Sequence, residues 1–251
     1  MQRFEAIWDE AAIATHRQAR VWHDDESLWG HALALDANDA EALLHLGMSR
    51  EGRATRHAIA SERVRLLREA LGFFERGEQC AKAPQYSIDI AVVCEKLALE
   101  LPTESDAWLA QARAALARGF ERAEQQHILE PEWLFERAVV AYRSGEIAGS
   151  VGDFRAFVAL RPDDLAARRA LALALLQLGR NAEALPEVEA SVRLAPQDVA
   201  LRLTLARLRD VLGRRNEARD AYTECLRLAD GGAQLAPTDR AEIEARLRET
   251  R

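Results

Sequence analysis

The sequence predicts an all-α fold, built as a solenoid of helical hairpins, on three observations. Of 251 residues, 48 are Ala, 34 Leu and 32 Arg, all strong helix formers, against 13 Gly, 7 Pro and 6% aromatic residues. Gly145, Gly179 and Gly213 fall 34 residues apart, and Pro162 and Pro196 keep the same interval. Apolar positions follow helical spacing, and Arg, Glu or Asp interrupts every stretch before the roughly 20 apolar residues of a membrane span. With 49% apolar and 30% charged residues, a disordered, collagen-like or turn-rich β chain is excluded.

Taken in chain order, about 2–20 and 25–36 predict a first helix pair that ends at Ala34-Leu35-Asp36-Ala37-Asn38. Residues 38–47 open the next helix. The polar run Arg50–Arg56 then predicts an excursion that displaces its partner helix to Val64–Phe74. Ser87-Ile88-Asp89 reads as the start of a helix reaching Leu101, closed by Pro102, with Thr103 or Ser105 capping the next helix. Trp108, Ala112, Leu116, Gly119, Ala123 and His127 share one helical stripe, which predicts one long helix over 104–128 paired with 86–101. The alternative is a turn at Gly119-Phe120 and a truncated repeat over 105–130.

Residues 131–164, 165–198 and 199–232 align without gaps. The alignment superposes Ala138, Ala172 and Ala206, then Ser150, Ala184 and Ala218, then Phe154, Val188 and Tyr222, and the leucines Leu160, Leu194 and Leu228. Small residues recur where two antiparallel helices must approach closely, large ones where they wedge against the next pair, and Gly where the first helix stops. Pro131 suits the first turn of a helix, whereas Pro186 should delay or bend its own.

These three units resemble tetratricopeptide (TPR) repeats, whose pattern has small residues at positions 8 and 20, a large apolar residue at 24 and Pro at 32. Two departures are that Leu134, Arg168 and Arg202 stand at the family's Trp position 4, and Asp230 stands at a Pro position. Leu46-Gly47 matches the family's Leu-Gly at positions 7 and 8, so a divergent unit is expected there. The organisation expected is a divergent TPR-like region over 1–130, three repeats over 131–232, and a capping helix within 233–251 carrying Ile243 and Leu247. The resemblance implies a right-handed superhelix.

Charge and motifs narrow the function classes. The net charge is −7, and residues 1–130 carry 15 Lys+Arg against 22 Asp+Glu, which disfavours phosphate backbones as partners. The Arg-rich 202–219 segment alternates with acids, as an ion-paired helix face does. Cys80, Cys94 and Cys225 are odd in number and lack metal-ligand spacing; buried thiols are expected, with no metal and no cofactor. Five of six histidines lie before residue 60, His16 and His23 among them, and HExxH does not occur. Phosphate-binding, nucleotide-binding and nucleophile-elbow motifs do not occur, so no catalysis is expected. The first ten residues show no secretory h-region, which predicts a soluble, cytoplasmic chain.

The TPR resemblance implies a concave wall of first helices that binds extended or helical segments of other proteins. The wall positions expected to bind a partner are Phe135, Val139, Tyr142 and Arg143 in the first repeat, Arg169, Leu173 and Leu176 in the second, and Leu203, Arg207 and Asp210 in the third. An apolar floor with Arg143, Arg169 and Arg207 suits an apolar segment carrying acidic residues. The Lys and Asn that clamp chaperone tails in one TPR subtype are missing from these positions. A scaffold or adaptor is therefore expected, the alternative being a TPR domain that senses a peptide or small molecule. A homo-oligomer through the N-terminal pairs or an uncovered cap face is a further option.

Overall fold

The computed structural model describes residues 24–249, among which it has twelve α-helices, one 3-10 turn and no strand. The chain divides into two compact units, Met1–Leu129 and Glu130–Arg251. The helix expected at 2–20, with His16 and His23, lies outside the described residues.

The first unit contains α1 (Asp25–Leu35), α2 (Ala40–Arg56), α3 (Ala60–Cys80), α4 (Pro84–Glu100) and α5 (Ser105–Gln126). Helices α2 and α3 form one hairpin and α4 and α5 the next, with α3 packed on α4. Asp24 and Asp39 cap α1 and α2, accepting from the Ser27 and Ala42 amides at 2.7 and 3.0 Å. The expected excursion at Arg50–Arg56 does not occur: that run is the end of α2, and only His57–Ile59 separate it from α3. Arg50 pairs with Glu26 at 2.7 Å and Glu69 at 2.9 Å, Arg53 with Glu26 at 2.8 Å, and Glu51 with Lys96. Gly47 lies against the ring of the buried Phe74, where any Cβ would collide, so the Leu-Gly match marks a true close approach of two helices.

Two other boundaries differ from the sequence reading. Helix α4 begins at Pro84, three residues before Ser87, because proline's fixed φ suits a first helical position. Ahead of α5, Pro102–Glu104 form the 3-10 turn and neither Thr103 nor Ser105 caps. Helix α5 runs unbroken through Gly119, where a Cβ would come within 2.9 Å of Ile88 Cδ1.

A half-buried polar knot ties α3, α4 and α5. The Glu78 carboxylate accepts from Arg122 at 2.7 Å, from Arg118 at 3.2 Å and from the fully buried Ser87 hydroxyl. Burial pushes this carboxyl up. The hydrogen bonds from Arg118 and Ser87, with the charges of Arg118 and Arg122, outweigh burial and hold it below the usual 4.5. A depressed folded-state value supplies stability that is full above the unfolded value and is lost as pH falls through the folded one. The urea midpoint of the first unit is therefore expected to drop as pH falls below about 4.5, and Glu78→Gln, less stable at about pH 7, should differ least from wild type at about pH 3. An unchanged gap between the two across that range would show that the knot does not act through the Glu78 charge.

The second unit contains α6 (Pro131–Arg143), α7 (Ile147–Leu160), α8 (Leu165–Gln177), α9 (Asn181–Leu194), α10 (Val199–Val211), α11 (Arg215–Asp230) and α12 (Pro237–Glu249). Helices α6/α7, α8/α9 and α10/α11 pair as hairpins, and α8 packs on α7 as α10 does on α9. The 34-residue glycines have φ of 82°, 68° and 74°, each ending a first helix in the left-handed region that an L side chain enters only under strain. Behind each, the next amide bonds a carbonyl five residues back: Glu146 to Ala141, Arg180 to Leu175 and Arg214 to Arg209, at 2.8–2.9 Å.

The aligned small residues are buried at every crossing, from Ala138, Ser150, Ala184 and Ala206 at 0% exposure to Ala172 at 5%, and so are Phe154, Val188 and Tyr222. The aligned leucines split: Leu228 is buried, whereas Leu160 and Leu194 face solvent. Pro186 lies inside α9 without delaying its start; it is exposed, and the bond it forgoes would have run to the carbonyl of the exposed Ala182. Arg168 and Arg202, at the Trp position, fold back to donate from Nε to the carbonyls of Pro162 and Pro196 at 2.6 and 2.8 Å. Asp164 and Asp198 cap α8 and α10. Helix α12 inserts Ile243, fully buried, among Val199, Leu203, Ala206, Tyr222 and Cys225 of α10 and α11.

Candidate functional site

Helices α8 and α9 and the start of α10 contribute to one apolar cleft of the second unit. Successive side chains of α8 at four- and three-residue spacing, Arg169, Leu173 and Leu176, fall on one face. The packing of α10 behind α9 leaves a cleft of about 80 Å³ beside them. Its other walls are Ala172, Val188, Ser191, Ala200, Leu201 and Thr204. Leu173 is 52% exposed, although α8 buries its neighbours Ala172, Ala174 and Leu175 almost completely. Arg169 Nη1 reaches Asp198 Oδ2 at 3.2 Å across the mouth, linking α8 to the capping residue of α10.

The remaining wall residues are placed differently. Phe135 is half-buried and packs its ring on Phe154 and Phe157 of α7, with centroids 5.7 and 5.3 Å apart. Val139 and Tyr142 are half-buried and Arg143 is exposed. Leu203, expected on an open wall, is only 4% exposed because α12 covers it. Arg207 donates to Asp239 at 2.8 Å and to both oxygens of Glu242 on α12, and Asp210 lies 3.7 Å from Arg246. The hydrogen bonds that Arg207 donates to Glu242, ahead of the one to Asp239, raise its guanidinium further above its ordinary value. The structure thus brings Arg169, Leu173 and Leu176 to one cleft and turns Leu203, Arg207 and Asp210 toward the chain's own last helix.

Sequence reasoning did not find Val188 or Ser191, which lie on a second helix when only first helices were read for binding, nor Leu201 and Thr204, which lie on α10 but off the positions read as wall. It also passed over a larger cleft in the first unit. That cleft, about 330 Å³, lies where the C-terminal ends of α2 and α4 meet the start of α3. Its lining is Ala54, Thr55, His57, Arg63, Leu67, Lys96, Leu99 and Glu100.

Of the three thiols expected to be buried, Cys80 is exposed at the end of α3; burial pushes the Cys94 thiol up to about 12 and the Cys225 thiol to about 11, so neither of these is a thiolate near neutral pH. Among the described residues no group of three His, Cys, Asp or Glu side chains could hold a metal ion. No helix among them is long and apolar enough to cross a membrane.

No family model matches the chain, and no curated protein matches its sequence. Its fold does match solved structures. YrrB, described as a TPR protein with an unusual peptide-binding site, superposes with a TM-score of 0.59 at 13% identity, over 80% of this chain and 91% of that one. MamA from Desulfovibrio magneticus RS-1 gives 0.56 at 14% identity, over 76% and 98%. TTC0263, a thermophilic TPR protein of Thermus thermophilus, gives 0.50 at 20% identity, over 79% and 97%. The chain has the TPR fold, as the 34-residue period and the small residues at its helix crossings imply.

Proposed function

We propose that this protein is a non-catalytic TPR scaffold or adaptor that holds a segment of a partner protein on the wall of its second unit, at the Leu173 cleft. One observation carries the reading: a leucine left half in water beside an apolar cleft, on a helix whose other leucines are buried or half-buried. A partner's apolar side chain placed there removes area from water on both sides, at about 25 cal/mol per Å². TPR proteins of the same fold, one of them described by its peptide-binding site, support a protein or peptide as the partner.

Acidic residues in the segment fit the same cleft. Arg169 is held only by an exposed pair with Asp198, and pairs of that kind contribute about 0–1 kcal/mol, so a partner carboxylate can take its place. Arg207 is held by two carboxylates and is a weaker candidate for the same exchange. A cytoplasmic location belongs to the same proposal.

The double variant Arg169→Glu/Leu173→Asp alters two exposed side chains and should keep the wild-type melting temperature. Affinity capture from the native cell, compared by quantitative mass spectrometry, should lose the partner with this variant. The recovered partner's affinity should fall at least about tenfold in direct titration. Equal recovery and equal affinity would move the binding surface off α8.

A further inference from the structure

The larger cleft, in the first unit, has a chemistry of its own. We propose that it binds a small aliphatic carboxylate, with the hydrocarbon chain on Leu67 and Leu99 and the carboxylate on Lys96 and His57. Its volume of about 330 Å³ is at the lower end of the range for small-molecule sites, roughly 300–1,000 Å³, and matches a ligand of modest size. The floor is apolar: Ala54 and Leu67 are 1% and 2% exposed, and Leu99 is 51% exposed at the end of an otherwise well-buried α4.

The hydrogen-bond inventory of the rim decides the charge of the occupant. Arg63 spends four of its five donors, forked onto Glu100 at 2.7 and 2.8 Å and donating to the carbonyls of His57 and Ala58. Each Glu100 oxygen accepts one bond of that fork, so the two charges offset each other at one end of the cleft. The Thr55 hydroxyl donates to the Glu51 carbonyl at 3.1 Å. His57 Nδ1 accepts the Ile59 amide at 3.2 Å, which leaves Nε2 as the ring's N–H donor. Lys96 pairs with Glu51 through one of its three donors. The unspent capacity is therefore donor capacity, on one ammonium and one imidazole above an apolar floor. An occupant that brings acceptors, a carboxylate above all, can use these donors.

The probes are octanoate, 1-octanol and octylamine, titrated into the full chain and followed by amide chemical shifts. Octanoate should bind saturably, with shifts concentrated in residues 54–100. Octanol and octylamine should bind at least about tenfold more weakly, the worth of a charge-assisted hydrogen bond. Lys96→Met should bring octanoate down to the octanol level, while Lys96→Arg retains most of the affinity. Leu99→Glu replaces a half-exposed residue, leaves the core intact and should abolish binding. Leu173→Asp, in the other unit, should leave octanoate binding unchanged, which separates this site from the partner wall. Equal affinity for octanol and octanoate, unchanged binding in Leu99→Glu, or no saturable shifts at 54–100 would each overturn the assignment.

Discussion

Truncation of Phe154 to Ala is expected to destabilise the second unit by about 3–5 kcal/mol, the usual cost of removing a phenyl ring from a packed core. Phe154 is 1% exposed, fills the position that wedges between consecutive hairpins, and packs against Phe135. The cavity would open on α6 and α7 together, and the antiparallel helices cannot close over it because Ala138 and Ser150 already hold them at close approach. A fall of about 10 °C or more in the melting midpoint should accompany the loss. Leu160 occupies an equally regular position in the repeat but is 58% exposed, and Leu160→Ala should change stability by no more than about 0.5 kcal/mol. Guanidinium unfolding of the two variants side by side would check this; equal effects would mean that the period does not report burial.

Substitution of Ile243 by Ala should cost about 2–5 kcal/mol and release α12. Two kinds of contact hold this helix. Arg207 with Asp239 and Glu242 is a partly exposed network that contributes about 1 kcal/mol or less per pair, whereas Ile243 is fully enclosed by α10 and α11. Burial should therefore dominate, and Arg207→Gln should cost much less than Ile243→Ala. Undocking α12 would expose Leu203 and Tyr222, so Ile243→Ala should also accelerate amide exchange in 237–249 and promote self-association. Comparable losses in the two variants would show that the ion pairs, not the apolar face, hold the helix.

What was legible in the sequence was what a repeated geometry demands of single residues. Gly145, Gly179 and Gly213 are readable because each occupies a left-handed turn, and Ala138, Ala172 and Ala206 because helices cross there. Helical spacing puts Arg169, Leu173 and Leu176 on one face of α8, and it is the TPR resemblance that made that face a candidate wall. Contacts between distant segments were not readable. Leu203 reads as a wall residue until α12 covers it, and Arg207 reads as a binding cation until carboxylates 32 and 35 residues away reach it. The run Arg50–Arg56 resembles a loop in isolation because its partners Glu26 and Glu69 lie on other helices. The first-unit cleft has no repeating signal, for its lining comes from α2, α3 and α4 at unrelated positions.

The claim on which the functional reading depends is that a partner sits on α8 at Leu173. Site-specific photo-crosslinking tests it most directly, with a benzophenone side chain placed at 173 or, as the control, at the equally exposed position 160. In native-cell extract the probe at 173 should give a discrete protein adduct that Arg169→Glu suppresses, and the probe at 160 should give none. Adducts from 160 with none from 173, or adducts at 173 that Arg169→Glu leaves unaltered, would contradict the account.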